Sequence, residues 1–427
     1  MAAPFLYSAW VAASMVLVPF AALTETRKLR RAGVSVARAH EKLGHATEPR
    51  PSAGPLVWFH AASVGESLSV LALIGRMGQA LPQAHFLITS GTATSARLVA
   101  SRLPPRTVHQ FAPFDAPGPL NRFLNHWRPD AAIFVESEIW PQMLRRTHAR
   151  GAKMALLNAR LSARSIAGWQ KRPKLARYLF EVFDLILTQN DQMAEAMVAM
   201  HAPPDRVARG INLKSMSDPL PVDEDALFEA RAALSHRPVW IASSTHEGEE
   251  QTVLAAHHRL LKTHPDLHLI LAPRHPERGD AVMRLIDTAG LSATRRTRGE
   301  HPGAQVYLAD TMGELGTWYA LGDIVFLGGS LRPIGGHNPF EVAQSGAIAL
   351  SGPHVTNFDE TYDAMVEAGA ARIVKDSQDL AATVDSLLND TDARDTARAA
   401  ARSFTESQTD QLDTIAERLI KALELAP

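Results

Sequence analysis

Carboxylates, cations and glycines gather in this sequence where short apolar runs give way to helix-forming segments. Gly328-Gly329-Ser330 and Gly335-Gly336-His337-Asn338-Pro339-Phe340-Glu341 follow the run Asp323-Ile324-Val325-Phe326. Glycines at such a junction let backbone N–H groups approach an anion, and a helix N-terminus adds partial positive charge. Glu341, one turn into the next helix, suits the hydroxyls of a ribose. This layout predicts a nucleotide or nucleotide-sugar site, although two ordinary strand-end turns would give the same spacing without a ligand.

In His60-Ala61-Ala62-Ser63-Val64-Gly65-Glu66 the carboxylate stands at the entry to a helix. It suits a general base that takes a proton from an attacking hydroxyl. Ser63-x-x-Glu66 also spells a capping box, in which the glutamate only bonds backbone N–H groups. Val135-Glu136-Ser137-Glu138-Ile139-Trp140-Pro141 repeats the arrangement. Glu136 lies on the strand terminus and is favoured as functional; the alternative makes Glu136 and Glu138 first-turn acids stabilised by a helix dipole. Lys214 stands where it could approach a leaving phosphate. Arg274, in Ala272-Pro273-Arg274-His275-Pro276, offers a planar, permanently charged group for phosphate or carboxylate. Asp310-Thr311-Met312-Gly313-Glu314 either caps a helix or presents backbone amides to a nucleotide. His246-Glu247 lacks the second histidine of a zinc-protease helix, so no metal is assigned. Asp390-Thr391-Asp392 reads as a cap and turn. The phosphate loop of triphosphatases is missing, which disfavours that class.

The elements that position these residues alternate between strand and helix. Leu56–Phe59, Phe86–Thr89, Ala131–Val135, Met154–Leu157 and Leu185–Leu187 read as strands, with helices near Glu66–Ala80 and Thr94–Ser101. A proline-bearing hinge at Lys214–Pro221 interrupts the pattern. It resumes with Val239–Ala242, Leu267–Leu271, Val306–Leu308, Ile324–Phe326 and Ala347–Leu350. Continuous apolar runs of this length are what strands buried on both faces of a parallel sheet require. The expectation is an α/β chain of two Rossmann-like domains facing across a cleft. Its boundaries are drawn at 1–24 for an N-terminal anchor, 25–216 and 217–406 for the two domains, and 407–427 for a C-terminal helix packing back toward the first.

At 427 residues the chain is too long for one ordinary core. A net charge of −1 argues against a broad electrostatic grip on nucleic acid, and the absence of cysteine removes disulfides and thiolate chemistry. Phe5 to Leu23 carries no charge and as a helix would cover about 28 Å, close to the hydrocarbon thickness of a bilayer. Arg27, Lys28, Arg30 and Arg31 follow it, and no Lys or Arg precedes it. That charge order disfavours a cleaved secretory signal and places the remainder in the cytoplasm. Pro19 leaves open whether the helix crosses the bilayer or lies within one leaflet.

The segments Trp58–Glu66, Glu136–Pro141, Leu157–Ser165, Ser244–Glu250, Ala272–Arg278, Asp310–Leu315 and Gly328–Pro339 together resemble the Kdo transferases. These enzymes move 3-deoxy-D-manno-octulosonic acid (Kdo) onto the lipid A precursor. The resemblance implies the two-domain GT-B fold, CMP-Kdo as donor substrate, no cofactor, and a metal-independent, inverting transfer at the inner membrane. It makes Glu66 the catalytic base, with Glu136 and Lys214 stabilising the transition state. Arg274, His275, Met312, Gly313, Glu314, Asn338 and Glu341 would line the CMP site. Basic residues Arg160, Arg164, Lys171, Arg172 and Lys174 would meet the phosphates of the lipid or simply form a solvated face. Phe340-Glu341-Val342 departs from the family's usual Leu-Glu followed by a small residue or proline. Two other readings are a GT-B transferase using a UDP-sugar and an anchored two-lobed solute-binding protein.

Overall fold

Strands with apolar side chains on both faces build two separate sheets. The computed structural model describes residues 2–210, 213 and 219–426. The first sheet comprises β1 (Leu56–His60), β2 (His85–Ser90), β3 (Thr107–Phe111), β4 (Ala131–Val135), β5 (Lys153–Ala159), β6 (Leu185–Thr188) and β7 (Val207–Arg209). The second comprises β8 (Val239–Thr245), β9 (His268–Pro273), β10 (Ala293–Arg295), β11 (Val306–Leu308), β12 (Ile324–Leu327), β13 (Ile348–Ser351) and β14 (Ala371–Ile373). Every described pairing is parallel.

The orders are β3-β2-β1-β4-β5-β6-β7 and β10-β11-β9-β8-β12-β13-β14. In each sheet the winding reverses once, between β1 and β4 in the first and between β8 and β12 in the second. Adjacent strand ends splay apart there, and ligands of open α/β sheets bind beyond the carboxyl ends at such points. Alternate side chains enter opposite faces, as the pleat dictates. Val57 and Phe59 join one core while Leu56 and Trp58 join the other; Trp240 and Ile241 divide in the same way in the second sheet.

Contacts divide the chain into one unit of residues 1–216 and 410–427 and another of residues 217–409. A single helix, Thr391–Ala422, contributes to both. Its Ala397 and Ala401 enter cores of the second unit, whereas Leu412, Ile415 and Leu419 enter a core of the first. Asp390 caps this helix by accepting from the Ala393 amide at 2.8 Å. The helix expected over Glu66–Ala80 is two, Val64–Ser69 and Leu71–Ala80, separated at Val70.

One described helix, Phe5–Arg31, is long and apolar enough to cross a membrane. It is not a free rod, because one side rests on the first unit. Tyr7 packs edge-on against Tyr178, with ring centroids 5.2 Å apart. Ser14, Ala22 and Leu29 are buried.

Candidate active site

The junction after β1 places Ser63 as N-cap of the helix Val64–Ser69, where its Oγ accepts from the Glu66 amide at 3.2 Å. Glu66 reciprocates: its carboxylate accepts from Ser63 Oγ at 2.7 Å and from the Ala62 amide at 2.9 Å. The capping box is therefore formed, and it fixes the carboxylate at a strand end beside the winding reversal. Burial pushes the Glu66 carboxyl above its usual range; the Ser63 hydrogen bond opposes this, while Glu138 and Glu136 reinforce it. A carboxylate held this way keeps an increased appetite for a proton.

Glu136 and Glu138 follow β4, the neighbour of β1. Glu136 is 8% exposed and adopts φ 54°, the left-handed region that a side chain occupies at a cost. The turn buries its carboxylate near Asn158, itself at φ 55°, whose Nδ2 lies 3.5 Å from Glu136 Oε1. Glu138 turns the other way. Its Oε2 lies 3.1 Å from His60 Nε2 and accepts from Trp140 Nε1 at 2.6 Å. Burial is the largest single influence and raises its proton affinity, but the hydrogen bonds from His60 and Trp140 and the nearby charges of His60 and Lys42 together outweigh it, and the group lies below its usual range. His60 is oriented in turn by Thr89 Oγ1, 2.9 Å from its Nδ1. The first switch point thus carries a fixed anion, Glu138, next to a carboxylate of raised proton affinity, Glu66. Lys214 lies outside the described residues.

Lys42 belongs to the same neighbourhood, and no local motif marks it. It sits in a single 3-10 turn, His40–Leu43, and is buried. Burial lowers its ammonium to about 8; Glu25 and Glu138 oppose the shift, and Lys28 adds to it. The ammonium makes no hydrogen bond or ion pair among the described residues.

In the second unit Arg274 and His275 stand at the end of β9, both exposed. His246, just past β8, and His337, in the loop after β12, join them. The two imidazoles stack with centroids 5.3 Å apart and Nε2 atoms 3.1 Å apart, and His275 meets His246 edge-on at 5.6 Å. Burial, then His246 and Arg274, lowers His337 to about 4; burial likewise lowers His246. Near neutral pH this pair is uncharged, and the charge belongs to Arg274. Among the described residues no group of three or more His, Asp or Glu side chains is placed to hold a metal ion.

The glycine segment corrects an expectation. The amides of Gly329, Ser330 and Leu331 donate at 2.6, 2.9 and 2.8 Å to one buried carboxylate, that of Glu249. The His246 amide donates to the same group at 2.9 Å. The anion cradled by residues 329–331 is the protein's own, and this ties the loop after β12 to the loop after β8. Gly328 permits the approach, since a Cβ there would lie 2.5 Å from the Thr245 Cα.

The remaining expected residues divide. Met312 is 69% exposed, and Gly313 turns the chain at φ 86°. The Glu314 carboxylate is committed to Arg296 at 2.7 Å and to the Thr311 hydroxyl. Asn338 Oδ1 accepts from the Phe340 amide at 3.1 Å. Glu341 opens the helix Phe340–Gln344. Met312, Gly313 and Glu314 follow β11, whereas Asn338 and Glu341 follow β12. Nothing local in the sequence singled out Glu249, His246 or His337 as partners, because their contacts span about eighty to ninety residues of chain.

Two Rossmann-like domains in tandem, each with polar residues at its switch point, define the GT-B fold class. A solved glycosyltransferase from Rickettsia africae shares this fold at a TM-score of 0.57 and 12% identity, covering 88% of this chain and all of its own. The family model described as 3-deoxy-D-manno-octulosonic-acid transferase (kdotransferase) matches residues 37–217. A probable mitochondrial 3-deoxy-D-manno-octulosonic acid transferase of Arabidopsis thaliana is 32% identical over 378 residues, 86% of this chain and 84% of that one. The enzyme of the same name from Bordetella pertussis is 32% identical over 415 residues, 91% of this chain and 93% of its own. The chain belongs to the Kdo transferase family and is a glycosyltransferase.

Proposed function

We propose that this transferase moves Kdo from CMP-Kdo to a hydroxyl of the lipid A precursor (lipid IVA), at the cytoplasmic face of the inner membrane, with inversion. The observation that carries the mechanism is the half-buried Glu66 carboxylate at a strand end, its proton affinity raised by burial and by two neighbouring glutamates. In the reaction the acceptor oxygen forms a bond to the anomeric carbon as the bond from that carbon to the phosphate of CMP breaks. The hydroxyl proton passes to Glu66, and CMP leaves with the bonding pair.

A single phosphate leaving group is within reach of cationic side chains and helix dipoles acting without a metal ion. Arg274 supplies the permanent charge for phosphate or sugar carboxylate, with His275 beside it. Met312, Gly313, Glu314, Asn338 and Glu341 border the nucleotide, Glu136 steadies developing charge on the acceptor side, and Lys214 meets the leaving phosphate. The helix Phe5–Arg31 anchors the enzyme, with the basic residues at its C-terminal end toward anionic headgroups. Incubation with CMP-Kdo and the tetraacylated lipid A precursor, followed by mass analysis, tests donor and acceptor together. A product heavier by one or more Kdo units is expected; an unmodified acceptor would overturn the assignment. Titration of CMP against UDP separates this reading from a UDP-sugar transferase.

A further inference from the structure

The apolar helix Phe5–Arg31 is bonded to the first unit in the middle of its uncharged run. Trp10 Nε1 donates to Asp115 Oδ2 at 2.6 Å, and Gln142 Nε2 donates to Ser14 Oγ at 2.8 Å. Asp115 is itself pinned, accepting from the Met143 amide at 2.6 Å. These polar contacts hold the helix along the protein surface, and its other side exposes Met15, Val16, Leu17, Phe20 and Leu23.

Between the helix and the loop entering the helix Pro117–Trp127 runs a groove of about 480 Å³. Met15, Val18 and Leu23 form one wall, while Leu43 and Pro119 contribute to the other. Met15 and Leu23 belong both to this wall and to the exposed face, so the groove opens where the helix meets lipid. Its polar side chains include His40 and Arg122, and Arg122 Nε is held by the Leu43 carbonyl at 2.8 Å. Gly44, at φ 84°, lets this turn press against Pro119: a Cβ there would lie 2.0 Å from the Pro119 carbonyl oxygen. The volume is that of a ligand site, and apolar walls suit a hydrocarbon rather than a peptide with backbone groups to satisfy.

The turn that carries His40 and Leu43 also carries the largely buried Lys42, whose ammonium makes no hydrogen bond or ion pair among the described residues. An anion arriving beside it would restore the stability of its charged form. The charge of Glu138 acts on both Lys42 and Glu66, which puts the turn at one end of the groove in the electrostatic neighbourhood of the proposed base.

We propose that this groove seats an acyl chain of the acceptor lipid and that Lys42 receives a phosphate of its head group. The inference rests on the lipid acceptor proposed above. In the full-length enzyme in detergent, Val18→Trp fills the groove. It should raise KM for the tetraacylated acceptor about tenfold, the equivalent of about two buried methylenes, and leave KM for the deacylated disaccharide unchanged. Lys42→Met should raise the acceptor KM, and removal of the acceptor phosphates should abolish that difference.

If the native chain forms no product with the acylated acceptor, the acceptor reading itself falls. If it does, and Val18→Trp binds CMP normally with the same ratio of the two KM values, only the groove falls. A Lys42→Met effect confined to the KM for CMP-Kdo would give that anion to the donor and overturn the phosphate assignment. Should Val18→Trp lose CMP binding, Met15→Cys supplies a second readout, because the chain has no native cysteine. An environment-sensitive thiol dye at this position should respond to the acylated acceptor and not to the deacylated one. The same response to phosphatidylethanolamine vesicles alone would assign the groove to bulk lipid and overturn the proposal.

Discussion

At the ends of β1 and β4 three carboxylates crowd together, whereas at the ends of β8, β9 and β12 a guanidinium stands among histidines. The frames are the same, a seven-stranded parallel sheet with one winding reversal. What differs is the sign of the charge brought to the reversal. Burial, reinforced by like charges, raises the proton affinity of Glu66, while burial, reinforced by His246 and Arg274, lowers that of His337. One fold thus prepares a proton acceptor in one unit and a fixed positive charge in the other, through the loops alone.

Four substitutions would break or sharpen this contrast. Glu66→Gln should reduce turnover by about 10²–10⁴ while CMP affinity stays normal. Glutamine still accepts a hydrogen bond, so this change removes the base with less damage to the cap; near-normal steady-state turnover would leave Glu66 as a cap alone. Glu249→Gln should cost about 3 kcal/mol of stability in urea unfolding, because three loop amides lose a buried anion. An unchanged midpoint would mean that the loop after β12 does not depend on that anchor.

Arg274→Ala should weaken CMP affinity about tenfold by calorimetry, with a smaller effect on turnover once donor is saturating. Unaltered affinity would remove Arg274 from the donor site. The smallest effect is in the pH profile. With Glu66 as the proposed base, transfer should require its carboxylate form, and the rate should fall as pH drops through its raised value. Glu138→Gln removes a neighbouring negative charge and should move that acid limb to lower pH. A limb that stays in place would show that Glu138 does not set the base.

The inner strands were legible because burial on both faces demands an apolar run, and all ten expected strands are present. The four that escaped, β3, β7, β10 and β14, are the sheet edges. Edge strands are covered less completely, and Ala293-Thr294-Arg295 or Val207-Ala208-Arg209 lacks the apolar run that marks an inner strand. Among candidate residues, those at strand ends were found because a junction is visible in one dimension. Glu66, Glu136, Arg274 and His275 stood out this way. The glycines of 328–336 were visible too, but the partner of their amides was not. His257 is likewise buried by distant neighbours, its Nδ1 accepting from Trp240 at 3.1 Å.

Sequence alone determined the class of fold, the positions of the inner strands and the family, since each rests on local composition or on motifs in fixed order. Tertiary structure alone decided that Glu249 fills the glycine loop, that Lys42 is buried beside Glu138, and that the apolar N-terminal helix docks through Trp10 and Ser14. Each of those depends on groups far apart along the chain, and a charge or hydrogen bond acquires its energy from the distance and burial that folding imposes.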